Sequence, residues 1–165
     1  MPQEFSFDVR YTPNPAEVDN AWNQALKELA QRYDFKGSPT TLELDKKTLT
    51  FTLQAEDSMK LKALLDILER RLVSRGIAPS AQTLGTPEAA AGGTLRQTVK
   101  IQQGLPEDKI PRVTAAVKAT GIKVRTQVQG SEVRVFGRAK DDLQAVIAAL
   151  KTQNFGCALE FGNFR

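Results

Sequence analysis

Residues 129–156, QGSEVRVFGRAKDDLQAVIAALKTQNFG, constrain the fold more than any other stretch of this chain. A turn at Gly130 and Ser131 leads into a strand in which Val133 and Val135 alternate with Glu132 and Arg134, and Gly137 stops it. Leu143, Val146, Ile147 and Leu150 follow at the i, i+3, i+4, i+7 spacing of one buried helix face. A shift of 82 positions lays Phe51 on Val133, Leu53 on Val135, Leu61 on Leu143, Leu64 on Val146 and Leu68 on Leu150. Both copies keep the same offset from hairpin to helix. The chain is therefore read as a duplication of one strand-and-helix unit.

The remaining segments complete each copy. Residues 5–11 alternate, with Phe5, Phe7, Val9 and Tyr11 on one face, and read as a strand. Asn14 with Pro15 and Glu17 begins a helix carrying Val18, Trp22, Ala25, Leu26 and Leu29. Residues 41–44 and 49–54 form a hairpin with one apolar face, and a helix over 58–74 follows with a leucine stripe. A short strand over 81–84 closes the first half. Residues 85–93, GTPEAAAGG, have linker composition.

In the second half, residues 94–102 alternate as a strand, and a third helix either starts near Pro111 or opens after Pro106 and is kinked within its first turns. Residues 122–129 are another strand, the 129–156 block comes next, and 158–161 adds an edge. The order in each half is strand, helix, strand, strand, helix, strand. Such a unit packs two helices on one face of an antiparallel sheet and leaves the other face open. The expected architecture is α/β, a tandem of two ferredoxin-like (RNP-like) βαββαβ domains. They are expected at residues 1–85 and 94–165, with 86–93 as linker. Exchange of the two first strands between the sheets is left open at this point.

The open faces are where function is expected. Residues 1–90 carry 11 Lys and Arg against 13 Asp and Glu, a net −2, whereas residues 91–165 carry 12 against 6, a net +6. The asymmetry fits an anionic partner held by the second half. With apolar side chains facing the helices, the second sheet would present Arg96, Lys100, Lys123, Arg125 and Arg134, with Phe136 beside them and Arg138 just beyond. Lys and Arg would hold phosphates while an aromatic stacks a base, as in single-strand RNA modules. The bland alternative is a set of long charged stems shielding a sheet face.

Other chemistry is thin. There is no histidine and one cysteine, Cys157. Ser-His and Cys-His dyads and imidazole metal ligands are thereby removed, and no metal or cofactor is expected. Asp141 and Asp142 stand where a helix starts, where they favour its dipole and are expected to cap it. No run reaches the length of a membrane span, and residues 1–10 lack the pattern of a secretory signal, so a cytoplasmic location is expected.

Four blocks together resemble a known family. They are Tyr33-Asp34-Phe35-Lys36-Gly37, LLDILERRLVSRGI at 64–77, QGSEVRVFGRAKDDLQAVI at 129–147 and NFGCALEFGNFR at 154–165. Their order and spacing are similar to the YajQ family from end to end. The resemblance implies tandem RNP-like domains and a small, non-catalytic nucleotide-binding protein, with RNA or cyclic dinucleotides such as cyclic di-GMP as ligands. The family motifs fall on residues 34–37, on Gln129, Gly130, Arg134, Gly137, Asp141, Asp142 and Gln144, and on residues 163–165. The nucleotide-binding residues expected here are Lys100, Lys123, Arg125, Arg134, Phe136 and Arg138, with Phe35 and Lys36 bordering a second contact. The alternative is an interaction module whose open sheet docks an acidic partner from transcription or signalling.

Overall fold

The structure, a computed structural model, describes residues 3–165. Its first half runs β1 (Phe5–Arg10), α1 (Pro15–Gln31), β2 (Thr41–Asp45), β3 (Thr50–Ala55), α2 (Ser58–Ser74), β4 (Gln82–Leu84) and β5 (Glu88–Ala89). The second runs β6 (Leu95–Ile101), α3 (Ile110–Ala119), β7 (Val124–Gln129), β8 (Glu132–Gly137), α4 (Lys140–Lys151) and β9 (Glu160–Gly162). Helices and antiparallel sheets follow the expected ferredoxin-like pattern twice.

The helix starts show what the sequence can specify. Asn14 caps α1, its side chain accepting from the Ala16 amide at 3.0 Å, with Pro15 in the first turn. Asp57 caps α2 by accepting from the Lys60 amide at 2.8 Å. Pro111 lies in the first turn of α3, where its missing N–H costs nothing, so that helix is not kinked. The reading of Asp141 and Asp142 as a cap is corrected. The N-cap of α4 is Ala139, which offers no side chain, and both aspartates lie inside the first turn, favourable to the helix dipole.

Strand pairing departs from the sequential halves. One sheet has the order β2-β3-β6-β4, with β5 also on β6, and the other has the order β7-β8-β1-β9. Each occupies the ferredoxin-like order, but the first strands are exchanged: β1 sits between β8 and β9, and β6 sits between β3 and β4. The compact units are accordingly residues 13–101, and the residues up to Thr12 together with 102–165. The segment 86–93, expected as a linker, lies inside the first of these units.

The physical reason lies in that supposed linker. It closes a hairpin: the Ala90 amide donates to the Thr94 carbonyl at 2.8 Å, and Glu88 and Ala89 pair with Arg96 and Leu95. Gly92 and Gly93 adopt φ of 73° and 76°, which only glycine takes without strain. A short loop makes β6 the cheapest neighbour for β4 and β5, because closing a short loop forfeits little chain entropy. The slot of a first strand in that sheet is thereby filled.

In the 13–101 unit, Val18, Ala21 and Ala25 of α1 and Leu64, Ile67, Leu68 and Leu72 of α2 bury against Phe51, Leu53, Val99 and Ile101. The Trp22 indole, half-buried, donates to the Leu42 carbonyl at 3.0 Å. In the other unit, Phe7, Val9, Val133 and Val135 meet Val113 and Val117 of α3 and Leu143, Val146, Ile147 and Leu150 of α4. No described helix is long and apolar enough to cross a membrane.

Candidate functional site

The β7-β8-β1 end of the second unit's sheet gathers the charged side chains. Val124 and Phe5 both lie opposite Gly137, so Lys123, Arg138 and Glu4 are the next residues out on three adjacent strands. A pocket of about 370 Å³ opens there, lined by these three together with Arg125, Phe136 and Asp142 from the first turn of α4. Among the described residues neither Lys123 nor Arg138 has a carboxylate within ion-pair distance.

Arg125 is differently placed. Its Nη2 and Nε donate to the two Glu4 carboxylate oxygens at 2.9 and 3.3 Å, and its guanidinium lies 3.9 Å from the Phe136 ring centroid. The Arg125 hydrogen bond first, then the Arg125 and Arg138 charges, hold Glu4 below the usual carboxylate range. Phe136 therefore supports Arg125 and does not present a bare ring for a base. Arg125 still keeps 58% of its side chain exposed, enough for a second partner.

Arg134 is committed elsewhere. Its Nε and Nη2 donate to the Asp8 oxygens at 2.8 and 3.3 Å, and Asn163 Nδ2 donates to Asp8 Oδ2 at 2.8 Å. Burial of Asp8 would raise its pKa. The hydrogen bonds from Arg134 and Asn163, with the Arg134 and Arg10 charges, outweigh that and leave it lowered.

The exchanged strands rewrite the expected basic platform. β1 brings Ser6, Asp8 and Arg10 onto the open face beside Phe136, Arg134 and Glu132, with Arg125, Gln127, Gln129 and Glu160 completing it. Three arginines thus meet three carboxylates. By compact unit the charge is 12 Lys and Arg against 11 Asp and Glu for residues 13–101, and 11 against 8 for the remainder. The steep contrast between sequential halves therefore shrinks to +1 against +3.

Other expected residues lie apart from the pocket. Lys100 and Arg96 are on β6 in the first unit's sheet, Lys100 opposite Thr50 and Thr83 and Arg96 opposite Gln54 and Glu88. Gln102 is engaged with Ala158, its amide donating to the carbonyl and accepting from the N–H, both at 2.8 Å. Phe35 is buried, 5.3 Å from Arg32 on one contact and 5.3 Å from Lys60 on another, so its ring offers no stacking face. Lys60 also donates to the Asp34 carbonyl. Lys36 is exposed, and the exposed aromatic of that motif is Tyr33. Glu4 escaped the sequence reading altogether, since nothing local marks a glutamate before a strand as a partner for a residue 121 positions away.

Among the described residues no three His, Cys, Asp or Glu side chains group to hold a metal ion. Cys157 is half-buried, and burial pushes its thiol up, away from a reactive thiolate.

Comparison with known proteins places the chain. It is 44% identical over 165 residues, the full length of both, to a protein of Carboxydothermus hydrogenoformans named nucleotide-binding protein. Proteins of the same name from Geotalea uraniireducens and Geobacter metallireducens are 44% and 45% identical over 160 residues, covering 97% of this chain and 98% of each relative. Residues 5–165 match the family model described as nucleotide-binding protein YajQ-like, and with that match over nearly its whole length the chain belongs to the YajQ-like family.

Proposed function

We propose that this chain binds nucleotides without turning them over, and that Lys123, Arg125 and Arg138 hold the phosphates in the pocket at the end of the β7-β8-β1 sheet. The observation that carries the reading is the pair of cations, Lys123 and Arg138, facing one pocket with no carboxylate within ion-pair distance among the described residues. A phosphate supplies the acceptor oxygens that such groups lack. Arg125, laid flat on Phe136, is held ready to give a planar fork to the same anion. The name carried by the relatives agrees with this reading.

The ligand favoured is a nucleotide seated at the sheet end. RNA spread over the open sheet is disfavoured, because that face balances its charges and its one aromatic is covered by Arg125. An acidic protein partner loses its basis on the same ground.

Calorimetric titration of the full chain with nucleoside diphosphates tests the proposal. Binding should tighten several-fold as salt falls from about 200 to 50 mM, since the screening length grows as salt is removed. The double variant Lys123→Ala/Arg138→Ala should weaken binding about tenfold or more while keeping its urea midpoint, and the nucleotide should be recovered unchanged. Unchanged affinity in the double variant would remove the pocket from consideration.

Glu4→Gln supplies a smaller test of the opposite sign. It deletes the charge that neutralises Arg125 and should tighten diphosphate binding about two- to fivefold, the range of an exposed ion pair. Weaker binding would mean that Glu4 positions Arg125 more than it competes with the ligand.

A further inference from the structure

A second pocket, of about 280 Å³, lies beside the first and is lined by Phe5, Lys140, Leu143, Gln144, Phe164 and Arg165. It shares a wall with the basic pocket through consecutive residues. Glu4 faces one and Phe5 the other at the start of β1, and Asp142 faces one and Leu143 the other in the first turn of α4.

Both pockets carry cations, Lys140 and Arg165 in the second, but the rest of their linings differs. No carboxylate side chain lines the second pocket, two aromatic rings do, and a carboxamide stands among them. Lys140 lies 5.1 Å from the Phe5 ring centroid.

Phe164 is delivered to this pocket by a backbone irregularity. Gly162 pairs with Asp8, but Ser6 exchanges its backbone hydrogen bonds with Arg165, at 3.2 and 3.0 Å, and not with residue 164. Two residues, Asn163 and Phe164, thus oppose Phe7, which is a β-bulge. Asn163 takes φ 54°, a left-handed conformation that asparagine tolerates better than most residues. The bulge turns Phe164 to the side of Phe7, with ring centroids 6.2 Å apart, while 58% of Phe164 stays exposed. A regular strand would have put residue 164 opposite Ser6, on the open sheet face.

We infer that this second pocket is the base subsite of the nucleotide site. The base would lie against the exposed ring of Phe164, the Gln144 carboxamide would meet its hydrogen-bonding edge, and Lys140, held over Phe5, would flank the sugar-phosphate. The inference rests on the phosphate reading of the neighbouring pocket, and it adds the part of the ligand which that pocket does not recognise. A ring stacked on an aromatic side chain and read by a carboxamide is the usual chemistry of base recognition by protein. A purely apolar ligand would leave the Gln144 amide and the Lys140 ammonium without partners.

Calorimetry on the full chain with ADP, GDP, UDP, CDP and inorganic pyrophosphate tests it, using Phe164→Ala and Gln144→Ala, both at exposed positions, with urea midpoints as the folding control. Phe164→Ala should weaken at least one nucleoside diphosphate about fivefold or more, as loss of base stacking does, and Phe164→Tyr should restore it. Gln144→Ala should alter the ranking of the four bases. Pyrophosphate should bind both variants as it binds the parent.

If Phe164→Ala leaves every diphosphate unaffected while Lys123→Ala/Arg138→Ala weakens them, the base subsite is overturned and the phosphate site stands. If Phe164→Ala weakens diphosphates and Lys123→Ala/Arg138→Ala does not, the phosphate reading falls and the subsite stands. Equal weakening of pyrophosphate by Phe164→Ala overturns the subsite, and absence of binding by every diphosphate overturns both.

Discussion

A fragment of residues 94–165 is expected to remain unfolded in water, although it contains a complete sequential half of the duplication. Its sheet lacks β1, which pairs with β8 on one side and β9 on the other and brings Phe7 and Val9, both fully buried, into the core. Burying two such side chains stabilises by about 3–6 kcal/mol together. Units below about 80 residues seldom hold more than about 3–5 kcal/mol in all, so losing an inner strand exceeds what is available. The fragment 1–85 should fail likewise, because its slot between β3 and β4 belongs to β6.

Residues 13–101, which contain every strand of their sheet, should fold cooperatively alone. Adding a peptide of residues 3–12 to the fragment 102–165 should restore a cooperative urea transition and dispersed amide resonances. Native-like cooperative unfolding of 94–165 by itself would contradict the exchange of strands.

That exchange marks where the sequence stops being informative. Periodicity located the leucine stripe of α2 and the buried face of α4, because side-chain spacing on a helix is a local property. Alternation located β1 and β6 as half-buried strands but carries no record of which sheet receives them. The 82-residue repeat was legible for the hairpin and helix that each unit keeps, and silent about the strand each unit trades.

The candidate site followed the same division. Lys123, Arg125, Phe136 and Arg138 were legible because one hairpin and its exit hold them together. Lys100 was grouped with them on the assumption that neighbours in sequence share a sheet. The partners that decide what Arg125 and Arg134 do are Glu4 and Asp8, 121 and 126 positions away. Phe164 lies beyond the 158–161 edge that alternation marks, and only the backbone bulge turns it to the side of Phe7.

Arg134→Met is expected to lower the urea midpoint while leaving nucleotide affinity of the folded chain unchanged. Breaking a buried ion pair leaves the surviving charge without its partner, which is strongly destabilising. Asp8 is 2% exposed and Arg134 is 21% exposed, so partial access to water trims the effect. The pH dependence identifies the cause. In the parent Asp8 titrates below its unfolded value, so the stability it contributes is present above about pH 4 and is lost as pH falls through the folded value.

In Arg134→Met, burial should dominate and raise the folded pKa above the unfolded one. The variant's deficit should then be largest near neutral pH and should shrink on acidification, first as pH falls through the variant's raised folded value and further below about pH 4. Asp8→Asn combined with Arg134→Met should recover part of the loss, because no buried charge remains. Urea titrations of the parent and both variants at several pH values check each step. A variant as stable as the parent but impaired in nucleotide binding would return Arg134 to the phosphate site, and would show that its contact with Asp8 yields to the ligand.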